Sequence, residues 1–508
     1  MVSVVKTVKN TDRLRQIATV LAKHGFGQVL GRLDLRALIP GVEVPPPKKS
    51  FAVRLREAAQ ELGPSFVKLG QIASTRTDLL PLEVITELKK LQEDVPPMTD
   101  EQVEEVLQDS FGGLHDELFA SFERAALASA SIGQVHLATL RPPAPPEGDD
   151  LPARDPVDVV VKLQRPRIRG TIERDIDLLY LLARLVERHV PESRVYSPVG
   201  LVSEFDRSIM AELDFKQEAD NAERFARNFE GDARVRFPAI HKHASGKRVL
   251  TMERFEGRKI YDAARDGAGE TIAKHALHVI ARMIFEHGFF HADPHPGNII
   301  ILGPAEAPVI GLIDLGLVGR LSPELRDKAI DLMIAAITGD PSSLADALLA
   351  MGRARGRVDM VAFRAEVGVL SEKYLGRPLA EVELSALIRD LVQGAVKYEI
   401  DMPVELMMVG KALMTVEGIG KEIYPELDVW TELRPYFLRL VRERYSPQRL
   451  GRDLLRAINQ LRANAGELPG QINDILNDLR AGRLAVRTAD TAVAAAGDRL
   501  GRRLFSGI

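Results

Sequence analysis

The stretch from His291 to Gly319, HADPHPGNIIILGPAEAPVIGLIDLGLVG, constrains this chain more than any other. Pro294, Pro296 and Gly297 exclude a helix, so Asp293 and Asn298 sit on a rigid loop. Two short apolar runs follow, Asn298–Leu302 and Val309–Asp314, separated by a Gly/Pro turn, and they read as paired strands. Taken singly, Asp-Pro-His-Pro-Gly is a turn and Asp-Leu-Gly is a strand exit. In this order and at this separation, Asp293, Asn298 and Asp314 suit the metal ions of a nucleotide. Hard divalent cations such as Mg2+ take carboxylate and amide oxygens together with substrate phosphates, and a loop Asp can orient an attacking hydroxyl. The pattern points to nucleotide phosphoryl chemistry.

With 508 residues the chain can form two or three domains, or one bilobal enzyme with extensions. Hydrophobic residues at 45% and charged ones at 28% exclude wholesale disorder. A net charge of −4 argues against a general nucleic-acid binder. Basic character is local, as in Arg483, Arg487, Arg499, Arg502 and Arg503. The lack of cysteine removes disulfides, thiolate catalysis and Cys-based metal sites, and fits a reducing, cytoplasmic setting. Charges interrupt the N-terminus before a signal-peptide core could form. No run of about 18 apolar residues offers a membrane span.

Residues 11–40 read as helical and broken near Gly25 and Gly27, either facing a core or leaning on lipid; the interspersed charges favour the core. A proline-rich linker, 44–49, precedes two helical segments in 50–91 that carry Lys68 and Gln71 on one face. After a helix at about 100–110, Ala128–His136 reads as strand, tight loop and strand, followed by Leu137–Leu140. The small residues Ala128, Ser129, Ala130 and Ser131 let backbone N–H groups approach a phosphate, with Gly133 the one glycine, so the loop should be stiff. Arg141–Pro156 is an exposed loop. Val157–Leu163 is an apolar strand interrupted by Lys162, which needs a carboxylate or phosphate partner if buried. Helices over 167–205 lead to Ala211–Phe225, where Glu212, Asp214 and Glu218 are candidates to face a nucleotide and pair with Lys162. Val249–Glu253 is a strand entering Arg254–Gly257, a hinge whose backbone would receive an adenine edge, which puts Glu253 in the nucleotide-binding set. A helix over 271–287 delivers the chain to His291; helices including 324–337, 342–351 and 404–417 follow, then Arg-rich helical segments over 447–508.

His291-Ala-Asp293, Asn298 and Asp314-Leu-Gly316 match the protein-kinase pattern H-x-D-x-x-x-x-N followed by an Asp-x-Gly metal loop. Together with Lys68-Leu-Gly-Gln71, Ala128–Ser131, Ile132–His136, Val161–Pro166 and Glu212-Leu-Asp214, they resemble the UbiB family of atypical kinases over about 11–440. The resemblance implies an α+β, bilobal protein-kinase-like fold: a helical N-terminal extension (1–115), an N-lobe with a helical insert (116–257), a mostly helical C-lobe (258–440) and a helical C-terminal tail (441–508). It implies ATP and Mg2+ as cofactors. Lys162 would hold the α- and β-phosphates and Glu218 would pair with it; Asn298 and Asp314 would hold metal, and Asp293 would be the catalytic-loop Asp. Lys68 and Gln71 would fold over the site, Glu212 and Asp214 would add acidic groups, and the Ala/Ser loop would bias nucleotide preference and restrain autophosphorylation. ATP hydrolysis is the implied activity, tied to ubiquinone or other isoprenoid quinone lipids, with quinone precursors, membrane lipids or quinone-biosynthesis enzymes as partners and no nucleic acid. A true protein or small-molecule kinase and a nucleotide-gated pseudokinase scaffold are the alternatives. The loop departs from the longer Ala run of relatives, and Ala126 stands where Pro is common. Many bacterial relatives end in two membrane-spanning segments, absent before Ile508, so this chain is either anchored outside the given sequence or peripheral. The expected location is the cytoplasmic face of a bacterial inner membrane, which an Arg-bearing tail suits.

Overall fold

Val159, Val161 and Leu163 are fully buried while Lys162 between them is only partly so. This alternation makes one strand serve two faces, a core behind and a cleft in front. The computed structural model describes residues 11–42, 49–74, 80–91, 96–142, 155–190, 197–338, 340–354, 358–375, 383–398 and 400–444. In the first lobe, β1 (Phe119–Phe122), β2 (Ala128–Ser129), β3 (Gly133–Leu140), β4 (Val157–Gln164) and β6 (Val249–Glu253) form an antiparallel sheet; the short β5 (Val235–Arg236) belongs elsewhere. The order is β1-β3-β4-β6, with β2 added along β3. Val135 on β3 and Leu250 on β6 both stand opposite Lys162, which fixes that residue in an interior strand. The buried face packs on the helix Asp100–Phe111 through Val103, Val106 and Leu107. That helix starts where Thr99 and Gln102 form a capping box.

The expected pair of helices in 50–91 is three: Phe51–Leu62, Pro64–Ala73 and Leu82–Leu88. The first break has a local cause. Gly63 takes φ +98°, which side-chain-bearing residues avoid, and Pro64 starts the next helix where no N–H is needed. Together with Thr11–Lys23, these helices share one apolar core with the helices Ile168–His189 and Pro198–Glu212. Ile17, Ala18, Val20 and Ala22 are buried, so the first helix faces protein, the core-facing reading of 11–40.

In the second lobe the helix Gly269–Arg282 ends in a wider π turn at Met283–His287. It presents the chain to β8 (Phe289–His291). The hairpin expected after Asn298 is β9 (Ile299–Leu302) and β10 (Val309–Leu312), with Val309 opposite Leu302. β10 runs parallel to β5, while β9 takes β7 (Arg258–Lys259) on its other side. A two-stranded ladder of β8 and β11 (Val318–Arg320) closes the loop around Asp314. Helices Pro323–Thr338, Pro341–Met351, Met360–Leu375, Leu384–Lys397 and Val404–Ile423 follow. The architecture is the mixed, bilobal kinase-like fold that the motifs imply. Residues to Arg434 form one compact unit and those from Pro435 a second. The Arg-rich 447–508 segments lie outside the described residues, as do most of the 44–49 linker and the 141–156 loop. Among the described residues no helix is long and apolar enough to cross a membrane.

Candidate active site

A lysine in an interior strand is defined by the charges that keep it there. Nζ of Lys162 lies 2.5 Å from Glu218 Oε1 and 3.9 Å from Asp314 Oδ1. Burial works against the ammonium charge, but Asp314 and Glu218 outweigh it and its pKa is raised. Glu218 is itself pushed up by burial, against the pull of Lys162. At Asp314 the Lys162 charge prevails over burial and brings the carboxyl down to about 2. Half of the Asp314 side chain stays open, so this carboxylate faces whatever enters the cleft.

Glu218 rides on the helix Phe215–Asn228 and makes a second contact, accepting the Leu315 N–H at 3.3 Å. One carboxylate therefore ties β4 to the Asp314-Leu-Gly316 turn. Asn221, one helical turn on, donates to the Leu315 carbonyl at 3.0 Å. Sequence reasoning missed Asn221, although its spacing from Glu218 places both on one face of the helix. Asp214 does not join this cluster. It caps the same helix, accepting the Lys216 N–H at 3.1 Å, because a short acceptor at that position meets the exposed N–H groups of the first turn. Glu212 is at the cluster's edge, where it takes Lys68 Nζ at 2.8 Å across 144 residues of sequence. Gln71, on the same helix as Lys68, donates instead to the Leu91 carbonyl at 3.3 Å.

The Ala128–Ser131 turn folds tightly on itself, with the Ala130 N–H donating to the Gly133 carbonyl at 2.9 Å. A Cβ at Gly133 would stand 2.5 Å from the Leu163 carbonyl oxygen, so closeness to β4 demands glycine there. Arg165 straps the turn from outside, donating to the Ala130 carbonyl at 3.1 Å and Ser129 Oγ at 2.8 Å. Ser131 is buried. Glu253, expected at the adenine edge, is engaged at the hinge by Arg236 and by the Ala239 N–H at 3.2 Å. It also uses its own N–H on the Ala239 carbonyl at 2.8 Å. It lines a hinge cleft with Arg254 and Phe255.

On the opposite lobe, Asp293 is positioned by its own loop. Its N–H donates to His291 Nδ1 at 3.2 Å, and its carbonyl accepts the Asn298 side-chain amide at 3.4 Å. His291 is buried, and burial brings its pKa down to about 4. With Nδ1 accepting, the ring proton is on Nε2, which has no hydrogen-bond partner among the described residues. The carboxylate of Asp293 carries an unforeseen partner, Lys411 Nζ at 3.0 Å. Lys411 comes from the helix Val404–Ile423, and a lysine on an amphipathic helix gives no signal of such a role.

The donors suit Mg2+. Asp314 stays ionised, and Asn298 offers an amide oxygen, both hard ligands at the same end of the β9–β10 hairpin, where the Ile313 N–H donates to the Asn298 carbonyl at 3.1 Å. Among the described residues no three His, Asp or Glu form a closed metal cage.

Residues 90–348 match the ABC1 atypical kinase-like domain, and residues 367–428 match the UbiB helical domain. Among curated relatives, a "Probable protein kinase UbiB" from Marinobacter nauticus is 35% identical over 92% of this chain and 86% of its own length. One from Pseudomonas putida is 34% identical over the same shares. A solved structure, described as the complex of Rv3197 with erythromycin from Mycobacterium tuberculosis, aligns with TM-score 0.50 and 22% identity. It covers 73% of this chain and 92% of its own, and supports the fold alone. The matched domain spans the Lys162, Glu218, Asp293 and Asp314 cluster, and the chain belongs to the UbiB family of ABC1 atypical kinase-like proteins.

Proposed function

We propose that the protein binds ATP with Mg2+ between its lobes and hydrolyses it, and that this turnover supports isoprenoid quinone lipid synthesis, ubiquinone foremost, at a bacterial membrane. The observation that carries the reading is the Lys162–Glu218–Asp314 cluster, a charged lysine and an ionised carboxylate already facing one cleft. Lys162 holds the α- and β-phosphate oxygens and Asn298 and Asp314 hold Mg2+, which when bound neutralises the phosphate charge. Asp293 orients a water molecule toward the terminal phosphate. Lys411 pairs with that carboxylate at 3.0 Å and adds positive charge where negative charge grows. Gly133 and the Ala/Ser turn bring backbone N–H groups close to the phosphates.

Hydrolysis is favoured over transfer to a protein by the helix Pro64–Ala73. It is pinned at the cluster's edge through Lys68–Glu212, with Phe66, Val67 and Ala73 in the core behind it. A protein acceptor would have to displace a packed helix, whereas water need not. Quinone precursors and membrane lipids are the proposed partners, in keeping with relatives that carry the UbiB name. The test is phosphate release from Mg-ATP, with and without anionic vesicles, beside Lys162→Ala and Asp314→Asn. A fall of about a hundredfold or more is expected in both variants. Release no higher than in the variants would sink the hydrolytic reading.

A further inference from the structure

Past Lys162, β4 leaves the nucleotide cleft and runs into a second one, of about 660 Å3, between the end of β4 and the turn before β6. Five cations line it, Arg165, Arg167, Arg169, Lys247 and Arg248, against three carboxylates. The charges do not cancel in pairs. Arg248 is matched by Asp109 at 2.9 Å, and Arg169 has Glu173 at 3.7 Å. Asp214 is occupied in capping its helix. Arg167 and Lys247 have no acidic partner among the described residues. Arg165 donates only to neutral oxygens there: the Pro96 carbonyl at 2.7 Å, the Ala130 carbonyl and Ser129 Oγ. Burial lowers its pKa, a sign that its positive charge lacks an anion. Glu105 is the third carboxylate, so the cleft carries two more cations than acids, and part of its counter-charge is not supplied by its own lining.

We propose that this cleft binds a phosphate ester and reports its presence to the Ala128–Ser131 turn through Arg165. Guanidinium forks match the oxygens of a tetrahedral phosphate, and several cations around one cavity favour its double charge over a single carboxylate. The cavity is much larger than a phosphate ion, so the group arrives on a larger molecule, either a soluble phosphometabolite or a lipid headgroup. Arg165 lines the cleft and also holds the turn at Ser129 and Ala130, so an anion that draws its guanidinium changes the turn's hydrogen bonds. This second half rests on the ATP reading above; the binding half does not.

The experiment compares the full chain with an Arg167→Gln/Lys247→Gln variant, both substitutions lying on exposed side chains away from the Lys162 cluster. Inorganic phosphate is titrated at constant ionic strength, followed by calorimetry. A loss of affinity of about tenfold or more in the variant is expected, as for removal of charge-assisted hydrogen bonds. Phosphate held in the nucleotide cleft would be indifferent to the substitutions, so equal affinity in both proteins overturns the site. Vesicles of phosphatidylcholine with and without phosphatidic acid form the second arm. Variant-sensitive binding to phosphatidic acid assigns a headgroup; variant-sensitive binding of free phosphate alone assigns a soluble ester; binding of neither overturns the proposal. Nucleotide affinity with and without phosphate is the third arm, where about a threefold shift in the wild type and none in the variant is expected. Nucleotide binding without that shift removes the coupling, and no nucleotide binding at all removes the ATP reading while the phosphate result stands.

Discussion

His291 is the residue whose chemistry is most altered by its place. Its folded pKa of about 4 lies below its ordinary 6.5, so it is neutral in the native state while the unfolded chain takes up a proton first. Native stability from this group is full above 6.5, falls as pH drops toward 4 and is constant below, a total of about 3 kcal/mol. Asp314, with its carboxyl lowered to about 2 from 3.8, contributes stability that is full above 3.8 and is lost as pH falls from 3.8 through about 2. The two windows therefore separate. Denaturant unfolding should show the wild type losing about 2 kcal/mol more than His291→Asn between about pH 7 and about pH 5. A second residue-scale expectation concerns Lys411. Lys411→Met should slow ATP turnover by about tenfold or more with nucleotide affinity little changed, and Lys411→Arg should recover part of it, read as separate kcat and KM effects. Lys162 was legible in the sequence because a lysine in an apolar strand demands an explanation. Lys411 was not, because a lysine on a helix demands none. Asp214 was misplaced for a related reason: next to Glu212 it reads as one more acid, and only the helix start reveals a cap.

At the scale of elements, the helix Phe215–Asn228 joins β4 to the Asp314 turn through Glu218, and removal of that carboxylate takes away the hydrogen-bonded acid of a buried lysine and leaves it Asp314 at 3.9 Å. Glu218→Ala is expected to destabilise the protein by about 3 kcal/mol or more, measured by urea unfolding. Lys68→Ala is the contrast. Its pair with Glu212 is partly exposed, at 23% and 31%, so the expected loss is under about 1 kcal/mol in the same assay. The strands were readable from alternation: β3, β4 and β6 fall where the apolar pattern puts them, and so does the β9–β10 hairpin. The extra helix break at Gly63 was not read, since Gly-Pro inside a helical pattern fits both a kink and a restart. Its left-handed φ decides for a restart.

Across the whole molecule, what the sequence left open was which distant segments meet. Spacing could order Asp293, Asn298 and Asp314 because they share one short stretch; it could not bring Lys68 to Glu212 or Lys411 to Asp293, contacts that exist only once two lobes and a helical extension are packed. Such a site, assembled from remote pieces, should tighten the fold when filled. Mg-ATP at about a hundred times its Kd is expected to add about 2.7 kcal/mol to unfolding, seen as a rise in Tm that Lys162→Ala abolishes. The Lys411–Asp293 pair has one further consequence for how such a chain can be divided or inherited. The loop carboxylate belongs to the segment matching the kinase-like domain, which ends at 348, while its cation belongs to the helical segment matched at 367–428. A shortened gene product that kept every recognised kinase motif would still lack half of that pair. Recombination between relatives would conserve the chemistry only where the two segments travelled together.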